Sequence, residues 1–280
     1  MTTVQFFSSD ELGIRSNYVE FPTEKIQNFK THNHLVCEIL FLIDGDVCYN
    51  VEGRRYRLRR YDLVFVRPGK NHHLTFMSKN EPYRRFNSLC SPKHFPKGLY
   101  ESLPDDADVI NFEDNERVKG IFEKMEFYSE NLDEEAKNKL FPSLLCELFC
   151  QFAIAARSPE RRLPSSFNRT LDSALKYIEE NLCEIQDIEG ICNELFITKS
   201  HLHHLFVENI GISPKRYINQ KRLLTARRKI RGGGSPTDVY RECGFIDYTT
   251  FYRNYRGYFG YPPSLEGEAV AQITIPPMEP

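Results

Sequence analysis

Three histidines and a glutamate near the start of the chain have spacing that suits chemistry: His32, His34 and Glu38 lie close together, and His72 follows Pro68-Gly69-Lys70-Asn71. In an extended strand, residues of equal parity share a face, so His32, His34 and Glu38 can point into one cavity. With His72 from another strand, such a set can bind a divalent metal. The same spacing equally lets polar side chains line a ligand pocket. The pocket is the reading adopted, with Tyr49 as a fifth effector-binding residue and with no metal, cofactor or catalytic residue assigned.

Short strands must hold these groups in place. Between Val36 and His73, β-branched or aromatic runs (CEILFLI, VCYNV, RYRLRRYD, LVFV) alternate with turns, and Gly45, Gly53 and Gly69 punctuate them. Strands of about five residues so spaced predict a small antiparallel barrel or sandwich. From Asn115 the texture turns helical, in ERVKGIFEKMEFYSENL and then LFPSLLCELFCQFAIAA. In the second, Leu144, Leu145, Leu148, Phe149 and Phe152 recur at helical intervals, a stripe that suits the partner helix of a homodimer or a core helix of the same chain. The stretch ARSPERRLPSSFN predicts a linker over 158–166.

At 280 residues, 40% hydrophobic and 27% charged, the chain has the composition of a two-domain globular protein. Its net charge of −2 hides an asymmetry, because Ile197–Ser264 carries 12 Lys and Arg against 4 Asp and Glu. A local excess of that size suits contacts to DNA phosphates. No apolar run approaches the length that crosses a bilayer, and the first residues lack a signal-peptide pattern, so the expectation is a cytoplasmic protein without a membrane partner. Eight dispersed cysteines with no C-x-x-C pair suit reduced thiols better than disulfides or zinc.

The last third is punctuated helix by helix. Asp187 and Thr198 can cap two short helices separated by about three residues, the plan of a helix-turn-helix. Ser213-Pro214 then starts a long helix that ends at Gly232–Gly234. Ser235-Pro236 restarts the chain in the same way, and Asp247 caps a last helix carrying Phe251 and Tyr255, so the plan repeats after roughly fifty residues. Over Thr170–Ser264 the chain resembles the DNA-binding domain of the AraC family of bacterial transcription regulators, through SHLHHLFVENIGISPKRYINQKRLLTARRKI and ECGFIDYTTFYRNYRGYFGYPPS. The resemblance implies base-reading positions at Ser200, His203 and His204 on one helix, and Lys199 and His201 beside them complete the expected DNA-binding set there. On the other helix it implies Tyr248, Thr249, Tyr252 and Arg253, with Thr250 expected in the same set. All avoid the stripes of Leu202, Leu205, Phe206 and of Phe251, Tyr255. Arg253 can pair bidentately with guanine, and His203 or His204 can donate to a base or phosphate. The chain departs from the family pattern at Cys192 and Tyr240, where a small alanine is usual.

The segment His32-Asn-His34-Leu-Val-Cys-Glu38, with Pro68 to His72, resembles the two motifs of the cupin barrel. AraC-like sensor domains are similar to cupins and bind small effectors such as sugars without catalysis, which favours the pocket. The expected fold is α+β, a cupin-like antiparallel β-barrel with flanking helices followed by an all-α domain of two helix-turn-helix units joined by a long helix. The expected domains are a sensing barrel (1–110), a helical dimerisation or linking segment (111–157), the linker (158–166), the DNA-binding domain (167–265) and a loose tail (266–280). Expected partners are double-stranded DNA, a small effector, a second copy of the chain and RNA polymerase, in an activator that is not an enzyme. The alternative is a metal-dependent cupin enzyme fused to a degenerate helical domain.

Overall fold

The first ninety or so residues form eight strands, and their alternation of side chains decides what each face touches. In the computed structural model, which describes residues 2–22, 29–78 and 81–266, these are β1 (Thr2–Ser9), β2 (Ile14–Phe21), β3 (Cys37–Asp44), β4 (Val47–Val51), β5 (Arg54–Arg57), β6 (Asp62–Val66), β7 (His72–Phe76) and β8 (Tyr83–Cys90). A short helix α1 (Lys97–Glu101) leads to β9 (Val109–Asn111). One sheet runs β1-β2-β8-β3-β6-β9 and a smaller one β5-β4-β7. The assigned pairings are antiparallel.

β3 reads as an unbroken apolar run because both of its faces are covered. Ile39 and Phe41 pack outward, with Leu63 and Phe65 of β6, against α2 (Glu116–Asn131) and α3 (Glu134–Ala155). Leu40 and Leu42 point inward to meet Tyr49, Val51 and Leu74 of the smaller sheet. The stripe Leu144, Leu145, Leu148, Phe149 and Phe152 on α3 is buried in that outer layer, so of its two readings the core helix is the one observed. α3 begins where Asp133 accepts from the Ala136 N–H at 2.8 Å and continues through Pro142.

Residues 158–166, expected as a linker, are pinned to the strands. Leu163 N–H donates to the Val109 carbonyl at 2.9 Å, Ser166 and Arg55 exchange two backbone hydrogen bonds, and Arg162 pairs with Asp106 at 2.8 Å. The chain divides into two compact units at Ser166/Phe167.

The second unit is helical, with α4 (Arg169–Asn181), α5 (Ile188–Glu194), α6 (Lys199–Asn209), α7 (Pro214–Arg231), α8 (Pro236–Glu242) and α9 (Tyr248–Phe259). Asp187, Thr198, Ser213 and Asp247 each cap a helix with a side-chain oxygen. Ser235 departs from the expected repeat: Pro236 does open α8, but the Ser235 hydroxyl pairs with Thr237 Oγ1 at 2.7 Å and caps nothing. Leu171, Ile178, Ile191, Leu202, Phe206 and Ile218 form the core of the first helix-turn-helix. Cys192 and Tyr240, where alanine was usual, are both buried, and the Tyr240 hydroxyl accepts from Arg241 Nε at 2.8 Å. The expected loose tail lies outside the described residues except for Glu266, which is not loose. Its side chain has no solvent exposure and accepts from Arg227 Nε (2.8 Å), Arg231 Nε (2.6 Å), Tyr261 OH (2.9 Å) and Tyr255 OH.

Candidate functional site

His32, His34, Glu38 and His72 do come together, by a different route from shared strand parity. β3 begins only at Cys37, and His32 enters as an isolated antiparallel bridge to His72 at the head of β7. Backbone hydrogen bonds of 3.1 and 2.9 Å close that bridge. Each ring is then oriented by a main-chain carbonyl. Nδ1 of His32 bonds Lys30 O (3.0 Å), that of His34 bonds Val36 O (2.8 Å) and that of His72 bonds Lys70 O (2.9 Å). The Nε2 atoms of His34 and His72 stand 3.0 and 2.9 Å from the same Glu38 oxygen. Four ligand-capable atoms, one from each residue, lie within 4.8 Å of one another.

Glu38, His34 and His72 are buried and His32 is half-buried. Burial opposes the Glu38 charge, but the His34 and His72 rings outweigh it and hold the carboxyl well below the usual carboxylate range. Burial likewise pushes the His72 imidazolium down. Tyr49 stacks on the His72 ring at 6.1 Å, and burial followed by the Glu38 charge pushes its hydroxyl well up.

Three further polar residues share this interior and were missed from sequence. Asn17 of β2 and Asn87 of β8 lie opposite each other, Asn87 pairs with Leu40, and Arg85 pairs with Leu42 and Val19. Directly paired residues share a face, so all three face inward with those apolar residues, and all are buried. Arg85 donates to Tyr83 OH at 3.3 Å and lies over the Phe29 ring. Among the described residues no carboxylate is within ion-pair distance of it. A signal was available in the alternation of TYR-ARG-ARG-PHE-ASN type at Tyr83–Asn87, where every second residue is the inward one.

The other predicted residues occupy two helix surfaces. On α6, Lys199, Ser200, His201, His203 and His204 are exposed while Leu202, Leu205 and Phe206 are buried. Lys199 meets Glu189 at 3.1 Å and His204 meets Glu208 at 3.3 Å, exposed pairs that DNA phosphates can replace at little cost. On α9, Thr249 and Arg253 are exposed, whereas Tyr248, Thr250 and Tyr252 are half-buried. Tyr248 packs on Tyr240 with ring centroids 5.6 Å apart, and the Thr250 N–H serves the Asp247 cap at 2.7 Å. Hydrogen bonds from Thr250 hold the Asp247 carboxyl below its ordinary value. Among the described residues no helix is long and apolar enough to cross a membrane.

Residues 18–143 match the model of an AraC-like ligand binding domain, and residues 191–265 match that of a helix-turn-helix domain. The chain is 26% identical over 281 residues to the HTH-type transcriptional activator RhaS of Escherichia coli O6:H1, an alignment covering 93% of this chain and 94% of that protein. Among solved structures, ToxT from Vibrio cholerae O395 aligns with 13% identity and a TM-score of 0.38, covering 94% of this chain and 99% of ToxT. An AraC-type regulator from Chromobacterium violaceum aligns with 25% identity and a TM-score of 0.34 over 39% of this chain and 95% of that one.

Proposed function

The chain belongs to the AraC family of transcription regulators, and from that premise we propose a one-component switch that activates transcription when a small effector occupies the N-terminal barrel. The reading is carried by one observation: α6 exposes five consecutive-turn polar residues over a fully buried apolar stripe. Lys199, Ser200, His201, His203 and His204 of α6, with Tyr248, Thr249, Thr250, Tyr252 and Arg253 of α9, then form the DNA-facing surface. In this scheme Arg253 reads guanine and Lys199 holds phosphate.

The effector is a sugar or related metabolite. Hydroxyl groups need buried partners that donate and partners that accept; Asn17, Asn87 and Tyr49 can do both and Arg85 can donate, beside His32, His34, Glu38 and His72. An effector acts only through unequal affinity for two conformations. RhaS is named an activator, which supports activation here, with RNA polymerase as the partner and the cytoplasm as the setting. A homodimer would read paired half-sites. Its surface must lie outside the buried α3 stripe.

Fluorescence anisotropy with DNA from upstream of the protein's own gene, with and without a panel of sugars, tests the reading. Saturable binding that outlasts a scrambled duplex as salt is raised is expected. Sequence-indifferent binding that vanishes at moderate salt overturns it.

A further inference from the structure

We propose that the effector is an acid, a small hydroxylated carboxylate of the sugar-acid class, and that the Arg85 guanidinium inside the barrel binds its carboxylate. The acid is the effector of the preceding subsection narrowed in class, and the proposal rests on that reading. Two neighbours on β8 show the contrast that calls for it. Arg84 is partly exposed and meets Asp44 at 2.6 Å. Arg85 faces the interior, is 6% exposed and donates from Nη1 to Tyr83 OH at 3.3 Å. Its Nε has no hydrogen-bond partner, and among the described residues no carboxylate lies within ion-pair distance of it.

A cation taken out of water is costly unless it is paired and hydrogen-bonded. The rings of Phe29 and Tyr83, with centroids 5.3 and 5.6 Å from the guanidinium carbon, offset part of that cost but bring no net charge. The inward carboxylate Glu38 sits four residues along β3 from Leu42, the residue opposite Arg85, a separation of about 13 Å. Its Oε2 already faces His34 and His72, and its charge reaches Arg85 only at longer range. A carboxylate that enters the barrel supplies the counter-charge at contact.

The guanidinium also selects its anion. With Nη1 engaged at Tyr83, Nε and Nη2 remain as a planar fork that fits the two oxygens of a carboxylate. A phosphate fits the same fork, but its second charge would stay buried without a partner. The body of the ligand is set by the next level of the interior. Asn87, opposite Leu40, comes one inward step from Arg85 toward Glu38, with Asn17 across from it. Side-chain amides both donate and accept, so hydroxyls suit that level and a wholly apolar tail does not. A neutral sugar serves the amides and does nothing for Arg85, whereas a sugar acid serves both.

The test titrates the full chain by calorimetry and thermal melts with hexuronates and aldonates, each beside its neutral parent sugar and the matching hexose phosphate. At least one acid is expected to bind and raise Tm where its parent and the phosphate do not. Arg85→Gln should weaken that binding at least tenfold, and the outward Arg84→Gln should leave it unchanged. A readout without ligand accompanies these: Arg85→Met, which keeps an apolar stem and removes an unpaired buried charge, should raise Tm of the ligand-free protein. A fall in that Tm assigns Arg85 to the fold and overturns the proposal. So does the failure of every acid, binding of acids that Arg85→Gln leaves intact, or preference for a phosphate. Anisotropy on the same samples separates the two readings. Neutral sugars that alone bind and change specific DNA binding overturn the acid while sustaining the switch, and an Arg85-dependent acid that leaves DNA binding unchanged sustains the site while overturning the switch.

Discussion

The two helix-turn-helix units share a plan and differ in what holds them shut. The first has α4 in front of it, and Leu171, Ala174 and Ile178 of that helix complete a mainly aliphatic core around Phe206. The second has α7 in that place, packed against α8 and α9. Its core is aromatic, with Tyr240, Phe245, Phe251, Tyr255 and Phe259, and it is closed from behind by the Glu266 carboxylate, which ties Arg227 and Arg231 of α7 to Tyr255 of α9. One motif can thus be finished by apolar area or by a buried ionic knot, and the two differ in tolerance. Apolar cores accept volume-conserving exchange, whereas a buried charge cannot lose its partners cheaply.

The largest break in that contrast is Glu266→Ala. Removing the acceptor of four donors should cost about 3–5 kcal/mol, read as a lower urea midpoint of the second unit with the first little changed. Burial works to raise the Glu266 carboxyl, but Tyr255 and Arg227, followed by Arg231, outweigh it and lower the carboxyl below its ordinary 4.5. A depressed carboxyl stabilises above the unfolded value and loses that contribution as pH falls through the folded one. Circular dichroism on acidification below pH 4.5 should therefore show the second unit loosening, and Glu266→Gln should abolish that dependence.

Gly244→Ala comes next. Gly244 sits at φ +80°, and a Cβ would stand 2.5 Å from the Cys183 carbonyl and 2.8 Å from the Arg222 guanidinium. A loss of about 1–3 kcal/mol is expected, visible in the same melts. In the DNA contacts, Arg253→Ala should weaken the specific duplex by about 1–3 kcal/mol and relax preference at one base pair. Lys199→Ala should weaken all duplexes alike, and equal losses on specific and scrambled DNA would remove Arg253 as a reader. The smallest effects sharpen the comparison of caps. Thr198→Ala and Asp247→Ala should each cost about 1 kcal/mol, while Ser235→Ala should be close to neutral because its hydroxyl bonds Thr237.

The sequence was most readable where structure is local. Thr198, Ser213 and Asp247 cap the amide three residues ahead, and Leu202, Leu205 and Phe206 need only the helical period to find one face. It was least readable where partners lie far apart. Glu266 looks like the head of a proline-rich tail, since its donors sit 5 to 39 residues away and leave no periodic trace. Asn17, Arg85 and Asn87 face inward because β8 pairs with β2 and with β3 over long sequence separations, which no local pattern announces. The His32, His34, Glu38 and His72 cluster fell between these cases. Its membership was legible in spacing, but its cause, a bridge between His32 and His72, is tertiary.

The double burial of β3 has a mechanical meaning. Glu38 and Leu40 address the interior, while Ile39 and Phe41 address the helix layer, where Phe41 stacks on Phe122 of α2 with centroids 4.5 Å apart and planes 10° from parallel. Interior and helices are thus separated by one peptide unit of a close-packed strand, and close packing transmits strain instead of absorbing it. A ligand that moves Glu38 pushes on a lever with no slack, and the far end of that lever is an aromatic stack.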